Sequence, residues 1–280
     1  MVEYKSEKAL SPEYLAGDAN DNKDILKRYE INCDMGEAFG PWRMGPDEDL
    51  MPLIDSANVA CGGHAGDPGT MEKTVKLAKK YGVKVGAHPG LPDKLGFGRR
   101  IWLIAPEDIY TMVLYQVGAL KAFLDAEGME LSYIKPHGEL YFYIERDDEI
   151  KKAVMKAAKV FGVPLVAAKS APYLEIIKSE NQQLIQEIYP DLNYNPKGDL
   201  CRIKAGPKTV RTPEMIYDCI MKAGMADQLV DIEGNTLNIN YNGSPITFCL
   251  HSDMPTALEN AKLARKAVDN LNDHYGFTKK

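Results

Sequence analysis

Residues 56–70 read Ser-Ala-Asn-Val-Ala-Cys-Gly-Gly-His-Ala-Gly-Asp-Pro-Gly-Thr. The run Ala57–Cys61 has the length and apolar character of a buried strand. Gly62, Gly63 and Gly66 then make a tight turn around one histidine. Asp67 followed by Pro68 is an N-cap with proline at the first helical position, opening a helix that runs through Lys80 and is stopped by Gly82. The same strand, turn and helix rhythm continues along the chain. Apolar runs fall at Tyr29–Cys33, Val83–Ala87, Leu131–Ile134, Pro164–Ala168, Glu187–Tyr189 and Ile246–Leu250. Pro106 opens a helix whose stripe holds Ile109, Met112, Val113, Leu120 and Leu124 and which Gly128 closes, and Thr256 caps a last helix over Ala257–Asn272. Strands alternating with helices call for a parallel sheet, and about seven such units without a composition break predict an α/β fold closed into a seven-stranded parallel β/α barrel. Leu229–Asn242 alternates with period two around Glu233-Gly234-Asn235 and reads as a small hairpin insertion. Residues 1–28 are polar without a sustained period and read as an N-terminal extension, leaving 29–280 as a single domain.

A chain of 280 residues with 45% hydrophobic and 26% charged residues has enough apolar surface for one sizeable core. A formal charge of −6 lacks the basic face that nucleic acid or an anionic membrane requires, so a small-molecule or protein partner is expected. No apolar run reaches the roughly 18–20 residues of a membrane span, and the N-terminus lacks the basic-then-apolar layout of a secretory signal. Cys33, Cys61 and Cys249 lie within apolar runs as small hydrophobes, and five cysteines is an odd count. These features predict a cytoplasmic protein with reduced thiols and leave homo-oligomerisation open.

In a parallel barrel the chemistry gathers where strands pass into the following loops. Four of the five histidines lie at such positions: His64, His88 in Gly-Ala-His-Pro, His137 in Lys-Pro-His-Gly and His251 in Leu-His-Ser-Asp. A single histidine is more often a satisfied structural residue; four at equivalent strand ends are expected to share a pocket. Asp34 and Glu37 follow the first strand, although Asp34 alone would serve equally as a turn cap. Lys135 precedes His137 by two residues, and Pro136 holds its backbone extended, so both side chains are expected to project the same way.

Two chemistries fit this set. Neutral imidazoles with a carboxylate suit a divalent ion that polarises a carbonyl or generates hydroxide. The same groups without a metal provide general acid, general base and oxyanion stabilisation for breaking an amide or lactam, with His137 moving the proton and the Lys135 ammonium facing the carbonyl oxygen. The motifs His-Glu-x-x-His, Cys-x-x-Cys, Gly-x-Ser-x-Gly and Gly-x-x-x-x-Gly-Lys-[Ser/Thr] are absent.

Several motifs occur in series: Asn32-x-Asp34-x-Gly36-Glu37, Ser56-Ala57-Asn58-Val59-Ala60-Cys61-Gly62-x-His64-Ala65-Gly66-Asp67, Gly86-Ala87-His88-Pro89-x-x-Pro92-Asp93, Phe97-Gly98-Arg99-Arg100, Tyr115-Gln116-x-Gly118-Ala119-Leu120, Lys135-Pro136-His137-Gly138-x-Leu140-Tyr141 and Leu250-His251. Over residues 29–275 the chain resembles the LamB/YcsF family of lactam-utilisation proteins, the 5-oxoprolinase A subunits. The resemblance implies a glycoside hydrolase/deacetylase-like barrel. It also implies ATP-dependent opening of 5-oxo-L-proline to L-glutamate together with B- and C-type subunits, with ATP as co-substrate. By analogy with deacetylase-like relatives it makes Asp34, His64 and His88 candidate ligands of a divalent metal. The matched motifs further put Asn32, Asn58, Arg99, Arg100, Gln116 and Asp253 around the substrate, with Arg99 and Arg100 read either as a carboxylate clamp or as a surface pair.

The chain departs from the family pattern at Leu192 and Ile203, where arginines are usual, although Arg202 and Lys204 flank the second. It departs again at Ser252 and Gly63, where a glycine and an aromatic are usual. These changes bear on the substrate more than on the fold. A stand-alone metal-dependent amidase or deacetylase acting on another small amide, or a non-catalytic regulatory subunit, stays open beside the lactam reading.

Overall fold

All seven apolar runs fall on strands whose side chains are all, or nearly all, withdrawn from water, as parallel strands covered by helices require. A computed structural model describes residues 26–168, 174, 180–201, 210–241 and 244–278. In chain order its elements are β1 (Glu30–Met35), α1 (Asp47–Leu50), β2 (Ser56–Ala60), α2 (Pro68–Tyr81), β3 (Lys84–His88), α3 (Pro106–Ala126), β4 (Leu131–Ile134), α4 (Gly138–Arg146), α5 (Asp148–Phe161), β5 (Leu165–Ala168) and β6 (Leu184–Ile188). They continue with α6 (Pro213–Ala226), β7 (Gln228–Val230), β8 (Thr236–Asn238), β9 (Thr247–Leu250) and α7 (Ala257–His274). Strands β1 to β6 pair in sequence order, and β9 inserts between β6 and β1 to close a seven-stranded barrel. All its pairs are parallel, the closing ones through Asn32↔Cys249 and Glu187↔Thr247.

The local signals act as read. Asp67 accepts the Thr70 amide at 2.8 Å, Pro68 opens α2, and Gly82 ends it at φ 64°. The period-two stretch forms the antiparallel hairpin β7–β8, whose turn Asp231 holds by accepting the amides of Glu233 and Asn235; Asn242 lies outside the described residues. Two readings shift. The sixth strand starts at Leu184 rather than Glu187, because the polar but buried Gln186 and Glu187 broke up its apolar run. Thr256 precedes α7 without a side-chain capping bond. Just ahead of β1, Leu26 is buried against Tyr133, Val166 and Ile185, and Arg28 pairs with Asp55 at 2.8 Å. Residues 1–25 of the expected extension, and Arg202, Ile203 and Lys204, lie outside the described residues. All five cysteines are unpaired, and no helix among the described residues is long and apolar enough to cross a membrane.

Candidate active site

Barrel closure carries one side chain from each of several strand ends to the same place. Asp34 stands in register with Asn58 across β1 and β2, His88 ends β3, Lys135 follows β4 and His251 follows β9. The loops after β1, β2 and β4 add Glu37, His64 and His137. All seven are buried, and Asp34, His88, Lys135, His137 and His251 line one cavity of about 210 Å³. The residues that the strand-end argument selected are thus brought together.

Asp34 is the centre of the polar network. Its Oδ1 accepts from Asn58 Nδ2 at 2.8 Å and from the Lys135 ammonium at 3.1 Å. Its Oδ2 lies 3.4 Å from His88 Nε2 and 3.9 Å from His251 Nε2. Burial opposes its charge, but the His88 imidazole and the Lys135 ammonium outweigh burial and hold its carboxyl well below the usual carboxylate range. The Lys135 ammonium is taken up beneath this carboxylate, against Cys249 Sγ at 2.7 Å, Glu187 at 3.5 Å and Asn32 Oδ1 at 3.5 Å. Burial alone would depress Lys135; Asp34, Cys249 and Glu187 reverse that and raise it. Asn32 and Asn58 therefore form a polar layer inside the barrel below Asp34, bonded to each other at 2.7 Å.

The ring nitrogens of two histidines are fixed by carbonyl partners. His88 Nδ1 donates to the Lys135 carbonyl at 2.7 Å, and His137 Nε2 donates to the Phe97 carbonyl at 2.8 Å. A ring that is neutral is then left with a lone pair on its other nitrogen, and those two nitrogens, His88 Nε2 and His137 Nδ1, face each other at 2.9 Å. His64 stacks flat on His137, centroids 3.5 Å apart, and its Nε2 meets Glu37 Oε1 at 3.1 Å. Glu37 Oε1 is also 3.6 Å from His137 Nδ1. Burial, followed by the neighbouring imidazoles, keeps His64 and His137 neutral, with pKa values well below the ordinary histidine range. Burial together with the Asp34 and Asp253 carboxylates pushes Glu37 well above its usual range.

Such a convergence of lone pairs needs a shared proton or a cation. Glu37, His64, His88 and His137 present ligand atoms all within 4.8 Å of one another, and Asp34, Cys249 and His251 form a second such group. The donor chemistry of the first group, three imidazoles and a carboxylate, fits a divalent ion such as zinc. The expected trio of Asp34, His64 and His88 is therefore divided between the two groups, since the loops after β1, β2 and β4 bring Glu37, His64 and His137 together beside His88.

His251 has a partner that the sequence reading did not select. Asp191, fully buried in the loop after β6, accepts the His251 backbone amide at 2.8 Å and its Nδ1–H at 3.1 Å. Burial alone would depress the imidazole, but Asp191, then Asp34 and Asp253, raise its pKa above the ordinary histidine value. Asp191 stands in the segment Tyr189-Pro190-Asp191-Leu192. Its position just past a strand, the rule applied to the histidines, was the signal available.

The remaining expected residues divide. Arg99 lines the cavity, and its guanidinium meets Asp253 Oδ2 at 3.2 Å. Arg100 turns away, half exposed and held by both carboxylate oxygens of Asp93. Gln116 is buried in α3 and clamps the Gly90 backbone through both amide atoms, at 3.0 and 2.9 Å. A Cβ on Gly63 would lie 2.5 Å from Gln116 Oε1 and from the Gly90 carbonyl, so this clamp occupies the room an aromatic would need. Leu192 lines the cavity beside Tyr141, Phe142, Tyr189 and Leu200, giving it one apolar wall. Ser252 is buried with its hydroxyl unpartnered.

The chain is similar to one of the 5-oxoprolinase A subunits of Pseudomonas aeruginosa, 40% identical over 253 residues that cover 89% of this chain and 99% of that protein. It is 42% identical over 258 residues to lactam utilization protein lamB of Emericella nidulans, covering 90% of this chain and 99% of that one. A crystal structure of the lactam utilization protein from Thermus thermophilus shares the fold, with a TM-score of 0.80, 36% identity and coverage of 90% and 99% of the two chains. The model of the LamB/YcsF family matches residues 29–276, and the chain belongs to that family.

Proposed function

We propose that this protein opens a lactam by hydrolysis, with 5-oxo-L-proline as substrate and L-glutamate as product. In this reading it is the A-type component of an ATP-dependent complex whose B- and C-type subunits handle the nucleotide. The observation that carries the reading is the pairing, across 3.9 Å at the floor of the cavity, of an ionised carboxylate, Asp34, with an imidazole, His251, that Asp191 holds toward its charged form. The names of the relatives, lactam utilization protein and 5-oxoprolinase A subunit, support the substrate class.

The chemistry needs a base for water and an acid for the ring nitrogen. Asp34 takes a proton from water as its oxygen adds to the amide carbonyl carbon. His251 gives its Nε2 proton to the ring nitrogen as the C–N bond breaks, leaving a carboxylate and an amine on one open chain. Lys135 and Asn58 keep Asp34 ionised and oriented. A divalent ion held by Glu37, His64, His88 and His137 would supply polarisation of the carbonyl. Because Glu37, His64, His88 and His137 present four ligand atoms within 4.8 Å of one another, a metal-dependent amidase working without ATP or partner subunits is the second reading.

The test is a panel of lactams and linear amides offered to the purified chain, with and without ATP, with and without B- and C-type subunits, and with and without added zinc. Formation of the ring-opened amino acid, abolished by Asp34→Asn, supports the proposal. Turnover that is indifferent to ATP and partners but requires metal favours the second reading. No ring opening under any combination defeats both.

A further inference from the structure

A lactam bearing a carboxylate needs a cation at the site, and the cavity has two non-imidazole candidates among the described residues, Lys135 and Arg99. Lys135 is spent on Asp34, Glu187, Cys249 and Asn32. Arg99 is not. Of its five N–H donors, one hydrogen bond is made, to Asp253 Oδ2 at 3.2 Å, while its side chain lines the cavity and stays 23% exposed. The partner is equally underused, since Asp253 Oδ1 is buried with no hydrogen bond. A single-point contact between a fork of donors and a pair of acceptors falls well short of the bidentate pairing both groups are built for.

The backbone beneath Arg99 is fastened to the site. Phe97 and Gly98 take positive φ values of 53° and 62°. The Phe97 carbonyl accepts from His137 Nε2 at 2.8 Å, and the Gly98 carbonyl accepts from the Glu139 amide at 2.9 Å. A Cβ on Gly98 would come within 2.7 Å of His64 Cβ and 3.0 Å of His137 Cδ2, so the chain passes directly over the stacked imidazoles. The guanidinium rests 5.0 Å from the Phe97 ring centroid. Arg100, one residue on, is committed to Asp93 and does not line the cavity. In 5-oxo-L-proline the carboxylate and the scissile carbonyl are separated by one ring carbon and the ring nitrogen, so a carboxylate anchored at Arg99 keeps the amide within the cavity.

We infer that Arg99 is the anchor for the substrate's carboxylate and that Asp253 occupies the guanidinium until a carboxylated lactam displaces it. The inference rests on the lactam-opening reading above and names its specificity determinant. Arg99 thereby distinguishes 5-oxo-L-proline from a neutral lactam of the same ring, which leaves the Arg99–Asp253 pair intact and gains nothing from it.

The experiment is calorimetric titration of the full chain with 5-oxo-L-proline and with 2-pyrrolidinone, which lacks the carboxylate. Wild type, Arg99→Gln, Arg99→Lys and Asp253→Asn are compared, with thermal melting as the check on folding. Arg99→Gln is expected to weaken 5-oxo-L-proline about 10–100-fold, the scale of lost charge-assisted hydrogen bonds, and to change 2-pyrrolidinone less than about 3-fold. Arg99→Lys, which keeps the charge and loses the fork, should fall between. Asp253→Asn, which removes the competing charge, should tighten 5-oxo-L-proline about 2–10-fold. Equal effects of Arg99→Gln on both lactams, or none on either, overturn the inference while leaving lactam opening in place. Weaker 5-oxo-L-proline binding by Asp253→Asn overturns the displaceable role of Asp253. If wild type binds neither lactam, the lactam reading and the inference fall together.

Discussion

His88 Nε2 and His137 Nδ1 face each other at 2.9 Å, and each ring has already given its other N–H to a main-chain carbonyl. Two lone pairs at that separation repel unless something positive lies between them. With Glu37 and His64 completing a four-donor group, wild type is expected to bind one divalent ion per chain. Added cobalt should give a visible absorption band and, like zinc, raise the melting temperature. His137→Ala and His88→Ala should each weaken binding by about 10–100-fold or more. Melting curves of wild type that zinc and cobalt leave unmoved, with no cobalt band, would show that a shared proton alone joins the two rings.

The contact between Asp191 and His251 leads to a kinetic prediction. Asp191→Asn keeps an acceptor for the His251 backbone amide but gives up the charge that favours the imidazolium and fixes Nδ1–H. The rate constant kcat for ring opening should fall about 10²–10⁴-fold, as when a carboxylate that orients a catalytic histidine is neutralised, with KM changing little. The melting temperature should stay within a few degrees. A variant that folds and turns over normally would remove the pair from the reaction.

The gathering of Asp34, His88, Lys135 and His251 was legible because a β/α rhythm places every strand end at one mouth of a barrel, whatever the loops do. What the rhythm does not carry is which atoms meet. The opposition of His88 and His137, the separation of Arg99 from Arg100, and the use of Gln116 as a backbone clamp depend on loop paths that join residues from 7 to 154 positions apart. Asp191 was hidden for a local reason: Gln186 and Glu187 are polar but buried, Glu187 against Asn32 and Lys135 inside the barrel, which blurred the strand that delivers it. The arginine positions at Leu192 and Ile203 fare differently, since Leu192 is seen in the apolar wall while Ile203 is outside the described residues.

Gly86 in β3 supplies a test of packing. A Cβ there would fall 1.9 Å from Tyr133 Cε2, a ring buried on β4 and held by its hydroxyl to Asn58 Oδ1 at 2.6 Å. Gly86→Ala should therefore displace the ring, break its bond to the Asn58 layer beneath Asp34, and destabilise the fold by about 2–4 kcal/mol, as overpacking of a tight core does. Denaturant unfolding measures this. In Gly86→Ala/Tyr133→Phe the lost hydroxyl bond is already removed, so the two substitutions should be less than additive. Strict additivity would show that the clash is relieved without disturbing the hydroxyl.

Glu145, in α4, sets a pH dependence of stability away from the imidazole cluster. Its Oε1 is buried with no hydrogen-bond partner, and burial, only partly opposed by Lys151, pushes its pKa up to about 7 from an ordinary glutamate value. The folded state thus holds a proton that the unfolded chain releases near pH 4.3. Stability from this group is complete below the unfolded pKa, declines as pH rises between about 4.3 and 7, and stays reduced above that range. Because the residue keeps some contact with water, the decline should be about 1–2 kcal/mol rather than the larger figure a full shift implies. Glu145→Gln, which mimics the protonated form at every pH, should match wild type at pH 5 and exceed it at pH 8 by about 2–6 °C in melting temperature. A wild-type minus variant difference that is flat from pH 5 to 8 would show that Glu145 is ionised in the folded protein throughout.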